Sequence, residues 1–133
     1  MATRMYEVQQ KIFAALESNS ELQKEIHGIF DYVPEKSKFP YITFGPTQSS
    51  SERTKTDNGE RITFNLDIWS ESKGRKQTVR IITLIEKILE ADLELETAFL
   101  IEQKVLTREV EEQSYGLFHG FIEFAIEIEW EDD

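Results

Sequence analysis

The stretch RITFNLDIWS, residues 61–70, alternates without a fault: Ile62, Phe64, Leu66 and Ile68 face one way, and Arg61, Thr63, Asn65 and Asp67 face the other. A period of two is that of a β-strand with one face on a core and one on water. The stretch predicts a half-buried strand, and the rest of the chain is read outward from it.

On the C-terminal side, Ile81, Ile82, Ile85, Ile88 and Leu89 form an apolar stripe between Gln77 and Glu90. That spacing predicts the main helix, ending near Ala91 and Asp92 and packed on the sheet. Two long strands follow: AFLIEQKVLTREVEE (98–112) and, after the turn-like QSYG (113–116), LFHGFIEFAIEIEW (117–130). In the last strand Phe118, Gly120, Ile122, Phe124, Ile126, Ile128 and Trp130 share one parity. Glu123, Glu127 and Glu129 share the other.

On the N-terminal side, Met5, Val8, Ile12, Phe13 and Leu16 have helical spacing with Glu7, Gln10, Lys11 and Glu17 opposite. A short second helix is expected in SELQKEIHG (20–28), opened by a capping box of Ser20 and Gln23 and closed at Gly28. His27 then falls in its last turn, where positive charge suits the helix dipole. IFDYV (29–33) reads as a strand stopped by Pro34, and FPYITFG (39–45) resumes as one. Between this strand and residues 61–69 lies GPTQSSSERTKTDNGE (45–60), with no apolar residue. We expect the two strands to pair as a hairpin with an overlong arm, residues 46–60 forming a flexible polar loop and DNG (57–59) a tight reversal.

The order helix, helix, strands, helix, strands predicts an α+β fold. Its sheet is mainly antiparallel, with a mixed arrangement left open, and carries one long helix and the N-terminal helices on one face. At 133 residues and 39% hydrophobic, the chain suits a single domain spanning 1–133. The longest apolar run, Ile12 to Leu16, is far too short to span a membrane, and MATRMYEVQQ lacks the apolar core of a signal peptide, so the protein is expected to stay where it is made.

The formal net charge is -11, and the last 25 residues carry nine acidic groups and no Lys or Arg. Such a surface repels phosphate, which disfavours tight nucleic-acid binding but not passage beside DNA. There is no cysteine for a disulfide or thiolate site. TKTDNGE lacks the carboxylates of a calcium loop, because Thr54 and Thr56 stand at its first ligand positions. The two histidines are isolated from any catalytic motif, and His119 lies on the polar parity of the last strand. No metal, cofactor or catalytic residue is expected.

One arrangement works against local stability. Lys73, Arg75, Lys76 and Arg80 crowd the start of the long helix, where the dipole disfavours cations by roughly a few tenths of a kcal/mol each. With Glu123, Glu127 and Glu129 on the last strand, they suggest a head-to-tail contact between copies, positive surface to negative, of the kind that closes rings.

Taken in order, IFDYVPEKSKFPYITFG with Asp31, Tyr32, Val33, Pro34, Phe39, Pro40 and Tyr41, then the polar segment, LDIWS with Trp69 and Ser70, the helix, and FHGFIEF with His119 and Gly120, resemble the tail-completion (head-to-tail joining) proteins of long-tailed bacteriophages. The resemblance spans essentially the whole chain. It implies a non-enzymatic virion component, present in the host cytoplasm during assembly, that forms a hexameric ring between the head connector and the tail tube. DNA would pass through that ring without specific binding. On this reading residues 46–60 order when a ring forms or docks, with Arg53 and Lys55 supplying charge complementarity. Two other readings stand beside it: a cytoplasmic protein-binding module, and a small enzyme with a site around His119.

Overall fold

The fold is that of a computed structural model describing residues 2–52 and 57–131. Three helices, α1 (Met5–Glu17), α2 (Ser20–Glu25) and α3 (Lys76–Ile88), accompany five strands: β1 (Ile29–Phe30), β2 (Tyr41–Ser51), β3 (Asp57–Ser70), β4 (Phe99–Ser114) and β5 (Leu117–Glu131). The strands form one sheet in the order β1-β2-β3-β5-β4, antiparallel except for the short β1–β2 pair. The chain is thus α+β with a mixed, mostly antiparallel sheet.

Parity decides which face is covered. Ile62, Phe64, Leu66 and Ile68 of β3 and Ile122, Phe124, Ile126 and Ile128 of β5 are all buried. They pack against Val8, Ile12 and Leu16 of α1, Leu22 of α2 and Ile81, Ile82 and Ile85 of α3 in one core. Gly120 lies on this face beneath Thr78 and Ile82 of α3, where a side chain on β5 would hold the helix away. Among the described residues the opposite face carries no helix.

Five expectations need correction. The polar segment is ladder, not loop: Thr47 to Ser51 pair with Phe64 to Glu60, and Glu52 N–H reaches Gly59 C=O at 2.7 Å. Backbone hydrogen bonds need no apolar side chain, and an irregularity between Phe44 and Thr47 lets Pro46 sit in an edge strand. Asp57, Asn58 and Gly59 therefore belong to β3 instead of a tight reversal, and residues 53–56 lie outside those described. Asn58 and Glu60 are buried, although the sequence pattern put them in solvent.

The other four concern ends of elements. Asn19, not Ser20, caps α2, its Oδ1 accepting the Leu22 N–H at 2.9 Å, while the Gln23 amide donates to Leu16 C=O at 3.2 Å instead of completing a capping box. The helix ends at Glu25 with Ile26 extended, which leaves His27 outside it, donating its backbone N–H to Pro40 C=O at 2.8 Å. The expected strand 29–33 shrinks to two residues. Helix α3 stops at Ile88, because the Gln103 side chain of β4 donates to Leu89 C=O (2.9 Å) and Ala91 C=O (2.7 Å), meeting carbonyls that a further turn would have used.

The Asn19 cap carries a test. Asn19→Ala is expected to lower unfolding free energy by about 1 kcal/mol, and Ser20→Ala by much less, in urea titrations followed by circular dichroism.

Candidate partner-binding surfaces

The helix-free face of the sheet is strongly acidic. Side chains of paired residues share a face, so Asp57 and Asp67 of β3 lie with Glu123, Glu127, Glu129 and Glu131 of β5 and with Glu102, Glu109 and Glu111 of β4. Against these nine carboxylates stand two basic side chains among the described residues, Arg61 and Lys104. Arg61 holds Glu127 at 3.0 Å and Lys104 holds Glu102 at 3.0 Å. Glu123 accepts a hydrogen bond from the Thr107 hydroxyl at 3.2 Å. The Glu123, Glu127 and Glu129 side chains thus share one open surface.

An aromatic cluster sits at one end of that face. The His119 ring stacks on Trp69 with centroids 4.3 Å apart, and its Nε2 lies 2.7 Å from Asp67 Oδ1. Its Nδ1 is 3.9 Å from Glu111 Oε1. The pairing Trp69↔His119↔Glu111 across three strands assembles this group. All of these residues share the outward parity, but parity does not reveal register, so the cluster was invisible as a unit. The stacked indole and the Asp67 carboxylate together fix the orientation of the imidazole.

The basic residues occupy a different part of the molecule. Lys73, Arg75 and Lys76 are exposed on the turn into α3, and the Arg75 guanidinium lies 5.8 Å above the Phe118 ring. Arg80 instead bonds Glu25 at 2.9 Å, tying α3 to α2. Arg53 and Lys55 fall outside the described residues. The acidic and basic groups therefore do not neutralise each other within one copy.

The N-terminus is fastened by carboxylates. Glu60, 4% exposed, accepts the Arg4 N–H at 2.8 Å and the hydroxyls of Thr3 and Ser49. The Arg4 guanidinium lies 4.0 Å over Trp130. Burial alone would raise the Glu7 carboxyl, yet the Thr97 hydroxyl, the amides of Glu96 and Thr97 and the Lys11 charge together hold it below the ordinary range. The Glu86 carboxyl is also held low, first by hydrogen bonding from Arg108, whose Nε donates at 2.6 Å.

Depressed carboxyls add stability above their unfolded pKa and lose it as pH falls through the folded value. The melting temperature should therefore hold from pH 7 to about 5 and fall below about pH 4, and Glu86→Gln should flatten the fall. Because the Glu86–Arg108 side chains are 32% and 49% exposed, added salt should shrink this part of the effect.

Beside the first strands, Tyr6, Gln9, Gln10, Phe13, Asp31 and Phe44 line a groove of about 380 Å³ between α1 and the β1–β2 edge.

Against known proteins, the family model described as Tail completion protein gp17 matches residues 10–129. A chain from the virion of a native gene transfer agent particle superposes with a TM-score of 0.87 at 17% identity, covering 97% of this chain and 99% of the other. The bacteriophage SPP1 gp17 protein superposes with a TM-score of 0.61 at 19% identity, covering 95% of each chain. At these identities the superpositions speak for the fold. No curated protein matches the sequence.

Proposed function

This chain belongs to the tail completion protein gp17 family, and we propose that it completes a phage tail and joins it to the head connector as a hexameric ring. The family match over 10–129 carries the reading, and the surfaces agree with it in kind. The chain acts by holding neighbours rather than by turning over a substrate. Its partners are further copies of itself, the head connector and the tail tube. It resides in the virion, after a period in the host cytoplasm during assembly.

The acidic sheet face is the side we assign to the lumen. Nine carboxylates against two cations present a field that repels DNA phosphate, so a duplex passes without adhering. The corner at Lys73, Arg75 and Lys76 is the side assigned to an acidic neighbour above or below the ring.

The test is an extract from infected cells lacking this chain. Electron microscopy should show separate filled heads and tails, and adding the purified protein should produce joined particles. Normal virions formed without it would end the proposal.

A further inference from the structure

Both lateral edges of the sheet are open. On one side β4 runs for 16 residues with β5 as its one strand neighbour among the described residues. On the other, β1 covers β2 at Ile42 and Thr43, so the edge of β2 from Phe44 to Ser51 has no strand beside it among the described residues.

Edge strands in soluble proteins are usually guarded by charged side chains. In a chain that is 31% charged, β2 carries none from Tyr41 to Ser51. Its one guard is Pro46. A strand left this bare is protected if something covers it in the working assembly.

The exposed apolar side chains follow the same two edges. Among the described residues seven large hydrophobics are exposed, and six of them lie there. Tyr6 and Tyr32 stand beside β1 and β2, and Phe99, Ile101, Leu106 and Tyr115 lie along β4 and its turn. Ile101 and Leu106 occupy register irregularities of β4, which turn them out of the ladder. One edge thus presents apolar knobs, and the other presents the groove of Tyr6, Phe13 and Phe44. The groove also holds the exposed Asp31.

We propose that β4 of one copy docks antiparallel along the free edge of β2 of the next, with Ile101 and Leu106 entering the groove between α1 and β2. The direction follows from topology. Strand β2 runs antiparallel to β3, β3 to β5 and β5 to β4, so β2 and β4 of copies related by an axis along the strands run opposite ways. Different patches meet, so the contact is heterologous and propagates around a ring, leaving the acidic face toward the axis and the helices outside. This rests on the ring reading above and names its lateral interface.

The chain contains no cysteine, so introduced thiols are unique. Gln10→Cys marks the groove and Leu106→Cys marks β4. With a short bismaleimide, an equimolar mixture of the two variants should give a mixed dimer, and neither variant alone should. Adding Ile101→Lys to the β4 variant should cut the adduct roughly tenfold. Absence of the mixed adduct, equal adduct from one variant alone, or indifference to Ile101→Lys would each overturn the proposal, and circular dichroism confirms that each variant is folded. Joining activity in extracts reads separately: tails completed by a chain that gives no mixed adduct sink the interface and leave the function, while the adduct without tail completion does the reverse.

Discussion

Gly120→Ala is expected to destabilise the protein by about 2 kcal/mol, and Thr78→Ser in the same chain should return most of the loss. Gly120 lies on the buried face of β5, paired with Ile68 and Val110, under the first turn of α3. A Cβ there would collide with Thr78 Cγ2 and press on Ile82 Cδ1 at 3.2 Å. The backbone behind it is fixed by ladders on both sides, so the strain falls on α3. Serine at 78 removes the methyl group and keeps the hydroxyl. That hydroxyl is itself buried without a hydrogen-bond partner, so Thr78→Val in the wild-type chain should be neutral or stabilising. Urea titration of the four chains of the cycle reads the coupling. A Gly120→Ala cost unchanged by Thr78→Ser would show that the close approach of α3 is not what the glycine provides.

Glu60→Ala is expected to cost about 3 kcal/mol, the largest effect of any polar substitution in the molecule. Three donors from two separated parts of the chain converge on this carboxylate: the Thr3 hydroxyl and the Arg4 N–H from the N-terminus, and the Ser49 hydroxyl from β2. No side chain caps α1 at Arg4, so Glu60 supplies a capping carboxylate from β3 to the residue before the first turn. Its removal leaves three part-buried donors to water and frees the N-terminal residues from β2. Amide exchange should therefore quicken in the first turn of α1 and along Thr47 to Ser51, while the centre of β5 stays protected. Loss of protection spread evenly over the molecule would mean that Glu60 supports the core as a whole instead of fastening this corner. Because the corner adjoins the bare edge of β2, the variant should also impair assembly before it unfolds.

Most of the elements were legible because side-chain periodicity is a local signal. The two-residue alternation of 61–69 and 117–130 marked both strands and their buried faces, and the isoleucine stripe marked α3. The collection of carboxylates on one face of β5 followed from parity alone. The polar arm was misread for the same reason, since serine and threonine leave no periodic trace when a strand's side chains are mostly exposed.

The sequence by itself determined the strands at 61–70 and 117–130, the α1 and α3 helices, which way their side chains point, and how unevenly the charge is spread, because those depend on residues two to four positions apart. Only the tertiary structure decided the strand order that leaves β4 and β2 as open edges, the burial of Glu60, and the stacking of His119 on Trp69 beside Asp67. Those outcomes rest on backbone pairing between residues far apart in the chain, as Trp69 with His119 and Glu60 with Ile128. Backbone N–H and C=O groups are the same in every residue but proline, so register is chosen by the packing of whole elements and is written in no short stretch of the chain.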